Sequence, residues 1–111
     1  MKRTGFNRVK ITVVKVTDMN ELHKDTELGC KADINPVCSK FKEGQIFVTD
    51  MQHIPEGFCP FAFADIARHI IMIGENGSYW WMNEQDNGKA IVCCTDGFRP
   101  VFFRVEQNPE L

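Results

Sequence analysis

Five residues of this chain carry the most distinctive chemistry: Cys30, Cys38, Cys59, Cys93 and Cys94. Their odd number excludes a framework in which every cysteine of a monomer is paired. No C-x-x-C occurs, and Cys30 and Cys38 are too far apart for a compact zinc-ribbon pair. Cys59 stands directly before Pro60, at the start of a predicted helix. Free N–H groups and the helix dipole favour an anion there, and a thiolate is one. Cys59 is therefore the first candidate for a reactive sulfur, against the plainer reading of a partly buried, inert cysteine. Cys93 and Cys94 are neighbours on a predicted strand, so their side chains point to opposite faces. If Asp96-Gly97 closes a two-residue turn, Cys94 lies across from Arg99, and a guanidinium beside a thiol favours the thiolate. A three-residue turn with a bulge at Gly97 would move that register.

The candidate site is then Cys59 as nucleophile, Cys94 as its partner, Asp96 in the turn, and Arg99 as the charge that stabilises a thiolate or an anionic substrate. Sulfur or persulfide handling, redox exchange and metal capture are the chemistries such a set performs. A thiolate-bound metal such as Zn or Fe would need Cys38, Cys59 and Cys94 to converge in space, because their spacing alone gives little support. The competing expectation is a non-catalytic module that oligomerises or binds a partner and uses its cysteines as small core residues.

These residues must be positioned by a short list of elements. Residues 8–17 are β-branched and alternate, with Val9, Ile11 and Val13 in one phase and Val14 and Val16 in the other, which predicts a strand with a bulge near Val13–Val14. Asp18-Met19-Asn20-Glu21 has the form of a capping box and predicts a short helix over about 19–28, stopped at Gly29. Residues 29–44 read as a surface connection. Residues 45–49 read as a second strand and 50–58 as a loop. From Cys59 to Ile73 one apolar stripe (Phe63, Ile66, Ala67, Ile70, Ile73) marks the main helix, with Pro60 at its first position. Asp65 and His69 share its outer face, where a surface hydrogen bond between them is expected. Tyr79–Met82 reads as a short extended aromatic stretch. Residues 90–105 read as a hairpin around Asp96-Gly97, whose last strand is an edge at Pro100. The order β-α-β-α-β-β predicts a single α+β domain over 1–111: a small, mostly antiparallel sheet packed on one main helix.

Composition narrows the function further. Thirteen Lys and Arg against 15 Asp and Glu leave a net charge of −2, which argues against broad nucleic-acid binding. The basic cluster before Asp18 reads as the solvated side of the first strand. No apolar run is long enough for a signal peptide or a membrane span, so a cytoplasmic protein with reduced thiols is expected. Ile91, Cys93 and Phe102 make the second sheet face apolar. The 18–44 excursion, the Tyr79–Met82 segment or a second subunit must cover that face, and the last of these predicts a homo-oligomer. No dinucleotide, Walker, zincin or nucleophile-elbow motif is present, so any small-molecule ligand stays unspecified.

Three segments together carry a resemblance: Cys38 followed by Phe41-Lys42-Glu43-Gly44-Gln45-Ile46-Phe47, then Pro55-Glu56-Gly57-Phe58-Cys59-Pro60 leading into a helix, then Cys94-Thr95-Asp96-Gly97-Phe98-Arg99-Pro100-Val101 before an aromatic strand. Over roughly residues 8–106 the chain resembles a small family of cysteine-containing proteins from anaerobic bacteria and archaea, sometimes labelled a repeat protein, with no established activity. The resemblance implies that Cys38, Cys59, Cys94, Asp96, Gly97 and Arg99 are the positions that define the type. Phe63 stands where a tryptophan is expected in such proteins. The Cys-Pro helix start is also similar to that of sulfur-carrier proteins holding a persulfide, although Ala62 replaces the second proline of their Cys-Pro-x-Pro motif.

Overall fold

The alternating strand pattern and the single apolar helix stripe leave one way to bury both: the stripe lies across one sheet face. A computed structural model, which describes residues 7–24, 28–86 and 88–108, has this α+β arrangement. Strand β1 (Val9–Val16), helix α1 (Met19–Leu22), β2 (Ile46–Thr49), helix α2 (Pro60–Gly74), a short 3-10 turn (Glu84–Asp86), β3 (Lys89–Cys93) and β4 (Val101–Gln107) follow in sequence. The four strands form one antiparallel sheet in the order β2-β1-β4-β3. Helix α2 packs on β1, β3 and β4.

The core is the face of the sheet that alternation predicts. Val9, Ile11 and Val13 of β1, Ala90 and Val92 of β3, and Val101, Phe103 and Val105 of β4 are buried against Phe63, Ile66, Ile70 and Ile73 of α2. The change of phase in β1 is a bulge, with the β4 register shifting between Val13 and Lys15. Its backbone groups are satisfied from outside the ladder: Val13 N–H donates to the Gln45 carbonyl (2.9 Å) and Gly44 N–H to the Val13 carbonyl (2.8 Å). Gly44 takes φ +92° to make that turn, which its lack of a side chain permits. The bulge thus fixes residues 43–45, and through them the segment that carries Cys38 and Phe41.

Two loop residues complete the core. Phe41 and Phe58 are buried and meet Phe103 at ring-centroid distances of 5.1 and 5.4 Å, while Phe47 and Phe63 pack on Phe58 at 4.9 and 5.8 Å. Most of these contacts are edge-on, the arrangement that ring quadrupoles favour.

Several expectations are corrected. Asp18 caps α1 as read, accepting from Asn20 N–H at 2.8 Å, but the helix closes at Leu22 with His23 as its C-cap. Part of the longer predicted span, residues 25–27, lies outside the described residues. Tyr79–Met82 is a turn, not an extended stretch, with Met82 N–H donating to the Tyr79 carbonyl. Strand β4 is interior, because Pro100 precedes the ladder and costs it no bond; β2 and β3 are the edges. The outer sheet face is mixed rather than apolar. Ile91 is 60% exposed there, beside Lys10, Arg104 and Glu106, whose side chains form ion pairs at 3.9 Å (Lys10–Glu106) and 3.4 Å (Arg104–Glu106). No helix among the described residues is long and apolar enough to cross a membrane.

The end of α2 is closed by a Schellman motif. Asn76 is left-handed (φ +64°), its N–H donates to the Ile73 carbonyl, and Gly77 N–H reaches the Met72 carbonyl at 2.7 Å. A Cβ on Gly77 would lie 2.4 Å from Met72 Cγ and 2.8 Å from the Met72 carbonyl oxygen. Gly77→Ala is therefore expected to cost about 1–3 kcal/mol through overpacking, read as a lower urea midpoint at unchanged slope.

His69 does not bond Asp65. Its Nδ1 shares a 2.7 Å hydrogen bond with the Tyr79 hydroxyl. Burial, then the Arg68 charge, hold His69 below its ordinary value of 6.5. The unfolded chain thus takes up this proton at higher pH than the folded one. The stability it brings is complete above about pH 6.5 and is lost as pH falls through the folded value. An NMR titration should place the His69 midpoint below 6.5, and a midpoint at or above that would refute the assignment.

Candidate functional site

The turn Pro55–Phe58 brings the chain into α2. Phe58 N–H donates to the Pro55 carbonyl (3.0 Å), with Gly57 at φ +82° in its third position. Cys59 is the N-cap of α2, in extended conformation, and Pro60 occupies the first helical position. Phe63 N–H donates to the Cys59 carbonyl (2.9 Å), but the Cys59 side chain makes no capping bond. Cys59 is half-buried and packs against the core, on the sheet side of the helix as its position predicts.

Cys94 follows the last residue of β3. The expected pairing of Cys94 with Arg99 does not occur, because the ladder runs Ala90–Val105, Val92–Phe103 and Cys93–Phe102. Cys94 therefore faces Val101. A type I′ turn needs positive φ at both central residues, and neither Asp96 nor Gly97 has one. Residues 95–100 form a longer loop instead. The register is offset by two, so the predicted inward face survives unchanged.

At its closing pair the ladder substitutes sulfur for a carbonyl. Cys94 N–H donates to the Val101 carbonyl (3.2 Å), and Val101 N–H donates to Cys94 Sγ (3.3 Å). Cys94→Ala removes that acceptor and is expected to cost about 0.5–1.5 kcal/mol, with Cys94→Ser recovering part of it. Equal stability of the Ala and Ser variants in urea unfolding would show that the bond contributes nothing.

The 95–100 loop is held from several directions. Asp65 of α2 accepts from Thr95 N–H (2.9 Å). Asp96 Oδ1 accepts from Phe98 N–H (3.0 Å) and Arg99 N–H (3.2 Å). Asp96 Oδ2 faces Arg99 Nε at 3.5 Å, and Arg99 Nη1 donates to the Asn35 carbonyl (3.2 Å). His23 bonds the Gly97 carbonyl and packs on Phe98, and the Thr17 hydroxyl donates to the Pro100 carbonyl (2.6 Å). Arg99 therefore reaches the site through a braced loop, not through a strand pairing.

These segments enclose a cavity of about 380 Å³. Its walls include Cys38, Cys59 and Cys94, the cations Lys40 and Arg99, and the carboxylates Asp65 and Asp96. Phe41, Phe61, Ala62 and Thr95 supply the rest of the lining. The structure thus gathers every candidate residue of the sequence reading: Cys38, Cys59, Cys94, Asp96 and Arg99. It adds Lys40 and Asp65, for which the sequence held no signal, since neither falls in a motif.

The remaining two cysteines lie elsewhere. Cys30 is exposed and outside the cavity. Cys93 is on the outer sheet face and also exposed, yet local desolvation, then the nearby Cys94 and Asp65, push its thiol up. That direction disfavours its thiolate. None of the five is in a disulfide. The metal expectation for Cys38, Cys59 and Cys94 is not met by their arrangement. Among the described residues, no group of three or more His, Cys, Asp or Glu side chains is gathered closely enough to hold an ion. No family model, curated protein or solved structure matches the chain.

Proposed function

We propose that the protein carries out thiol chemistry in this cavity, with Cys59 and Cys94 as the reacting pair and Cys38 beside them. The observation that supports the reading is convergence. Three cysteines from three separate segments line one cavity, while Cys93, adjacent in sequence to one of them, does not. Thiolates are the nucleophilic form, and the cavity offers them the start of α2 and two cationic side chains. Asp96 and Asp65 act as positioning residues, since their carboxylates are occupied by the loop backbone. On this reading, the residues that mark the family resemblance are the site itself. The reducing cytoplasm is the compartment in which such thiols stay free.

The test is site-resolved alkylation at neutral pH by a neutral reagent, iodoacetamide, read by mass spectrometry. Cys59 and Cys94 of the folded chain are expected to react faster than the same cysteines in the unfolded chain. If both are slower when folded, they are core filler and the reading fails.

A second reading has its own support. Ile91 on the outer sheet face and Phe61, Trp80 and Trp81 elsewhere are exposed, at 60%, 85%, 92% and 61%. Of these, Trp80 and Trp81 adjoin, with ring centroids 5.7 Å apart, and such an exposed aromatic pair suits contact with a second copy or a partner. Sedimentation at increasing concentration separates the readings. A homo-oligomer with unreactive cavity cysteines would favour the second, and a monomer with reactive ones the first.

A further inference from the structure

We infer that the cavity accepts a small disulfide bearing a negative charge, with Lys40 and Arg99 holding the charge and Cys59 and Cys94 meeting the sulfur. This rests on the thiol reading and narrows it to a substrate class. The lining holds two cations and two carboxylates, so its formal charge is zero, and the argument rests on which of these groups are already engaged. Both carboxylates have partners in the protein: Asp65 takes Thr95 N–H, while Asp96 takes two backbone N–H groups and faces Arg99 Nε. The cations have capacity to spare. Arg99 uses Nε and one Nη1 hydrogen, which leaves three of its five N–H donors for a ligand. Lys40 has no acid within ion-pair distance among the described residues. The apolar lining of Phe41, Phe61 and Ala62 suits a short carbon body between the charge and the sulfur, and about 380 Å³ is within the range of small-molecule sites.

The step balances without an added oxidant. One cavity thiolate attacks a sulfur of the ligand R–S–S–R′. A protein–ligand disulfide forms, the ligand S–S bond breaks, and R′S⁻ leaves. The cavity sulfur is oxidised as the leaving ligand sulfur is reduced, so the electrons balance within the exchange, and solvent protonates the released thiolate.

The experiment compares three disulfides of similar size: dithiodiglycolate (anionic), hydroxyethyl disulfide (neutral) and cystamine (cationic). It uses the full chain with Cys30→Ser and Cys93→Ser, both at exposed positions, so that only cavity thiols react. Rates of mixed-disulfide formation are read by mass spectrometry and divided by those of the same chain unfolded in urea. Dithiodiglycolate should exceed cystamine by about threefold on this scale, the size of one partly exposed ion contact made by Lys40. Lys40→Gln should remove most of that preference, slowing dithiodiglycolate more than hydroxyethyl disulfide, and added salt should weaken it. Cavity thiols that react with all three probes equally, or fastest with cystamine, would overturn the anion preference and leave the thiol reading standing. Cavity thiols slower than the unfolded chain with every probe would overturn both.

Discussion

Replacing Phe103 by alanine should destabilise the fold by about 3–5 kcal/mol, the usual cost of removing a fully buried aromatic ring. Phe103 has no exposed surface and lies on β4, an interior strand, paired with Val13 on one side and Val92 on the other. Its ring meets Phe41 and Phe58 at 5.1 and 5.4 Å. Neither neighbour can collapse into the void without loss elsewhere, because Phe41 is held by the segment tied to the β1 bulge and Phe58 by the turn that sets up Cys59. A domain of ordinary stability has about 5–15 kcal/mol in all, so this one change removes a large share. The effect reaches the site, since Phe41 lines the cavity. Urea unfolding should show a strongly lowered midpoint, and alkylation of the cavity cysteines should move toward the unfolded rates. Phe61→Ala is the control: that ring also lines the cavity but is 85% exposed, so its removal should change stability by less than about 0.5 kcal/mol. A loss below about 1 kcal/mol for Phe103→Ala would mean that the aromatic cluster does not hold the fold.

The same cluster shows where sequence reasoning stops. Periodicity finds core residues only inside regular elements, so the stripe of α2 and the inward face of β1, β3 and β4 were legible, down to the bulge at Val13–Val14. Phe41 and Phe58 sit in loops, where no period marks them, yet they seat the cavity. The start of α2 was legible because Cys59-Pro60 combines a cap position with the one helical site that tolerates proline. The hairpin was legible as two strands but not in register. Asp96-Gly97 suits a two-residue turn locally, and the anchors on the loop (Asp65, His23, Asn35 and Thr17) come from distant segments and outweigh that preference. The error fell by an even number of residues, so the faces stayed right and Arg99 still came to the cavity by another route. Local spacing places Asp65 toward solvent with His69, because the contact it makes, with Thr95 across 30 residues, leaves no trace there.

Among changes at the site itself, Asp96→Ala should have the largest effect, and Asp96→Asn divides its causes. The aspartate does two jobs: Oδ1 accepts from Phe98 N–H and Arg99 N–H and so shapes the loop, while Oδ2 orients the Arg99 guanidinium at 3.5 Å. Asparagine keeps an oxygen for the backbone donors and gives up the ion pair, a partly exposed one worth at most about 1 kcal/mol. Alanine gives up both, and because the two backbone donors are exposed and can turn to water, its cost should be about 1–2 kcal/mol, the net worth of the bonds lost. Reactivity should divide differently. If Arg99 supports negative charge on the cavity sulfurs, loosening its guanidinium should lower the excess alkylation rate at Cys94 over the unfolded chain. Asparagine should then lose most of the reactivity while keeping most of the stability, and Arg99→Lys should behave like asparagine because an ammonium cannot reproduce the planar contacts to Asp96 and Asn35. Full reactivity in the stable asparagine variant would remove Arg99 from the chemistry and leave Asp96 a purely structural residue of the loop.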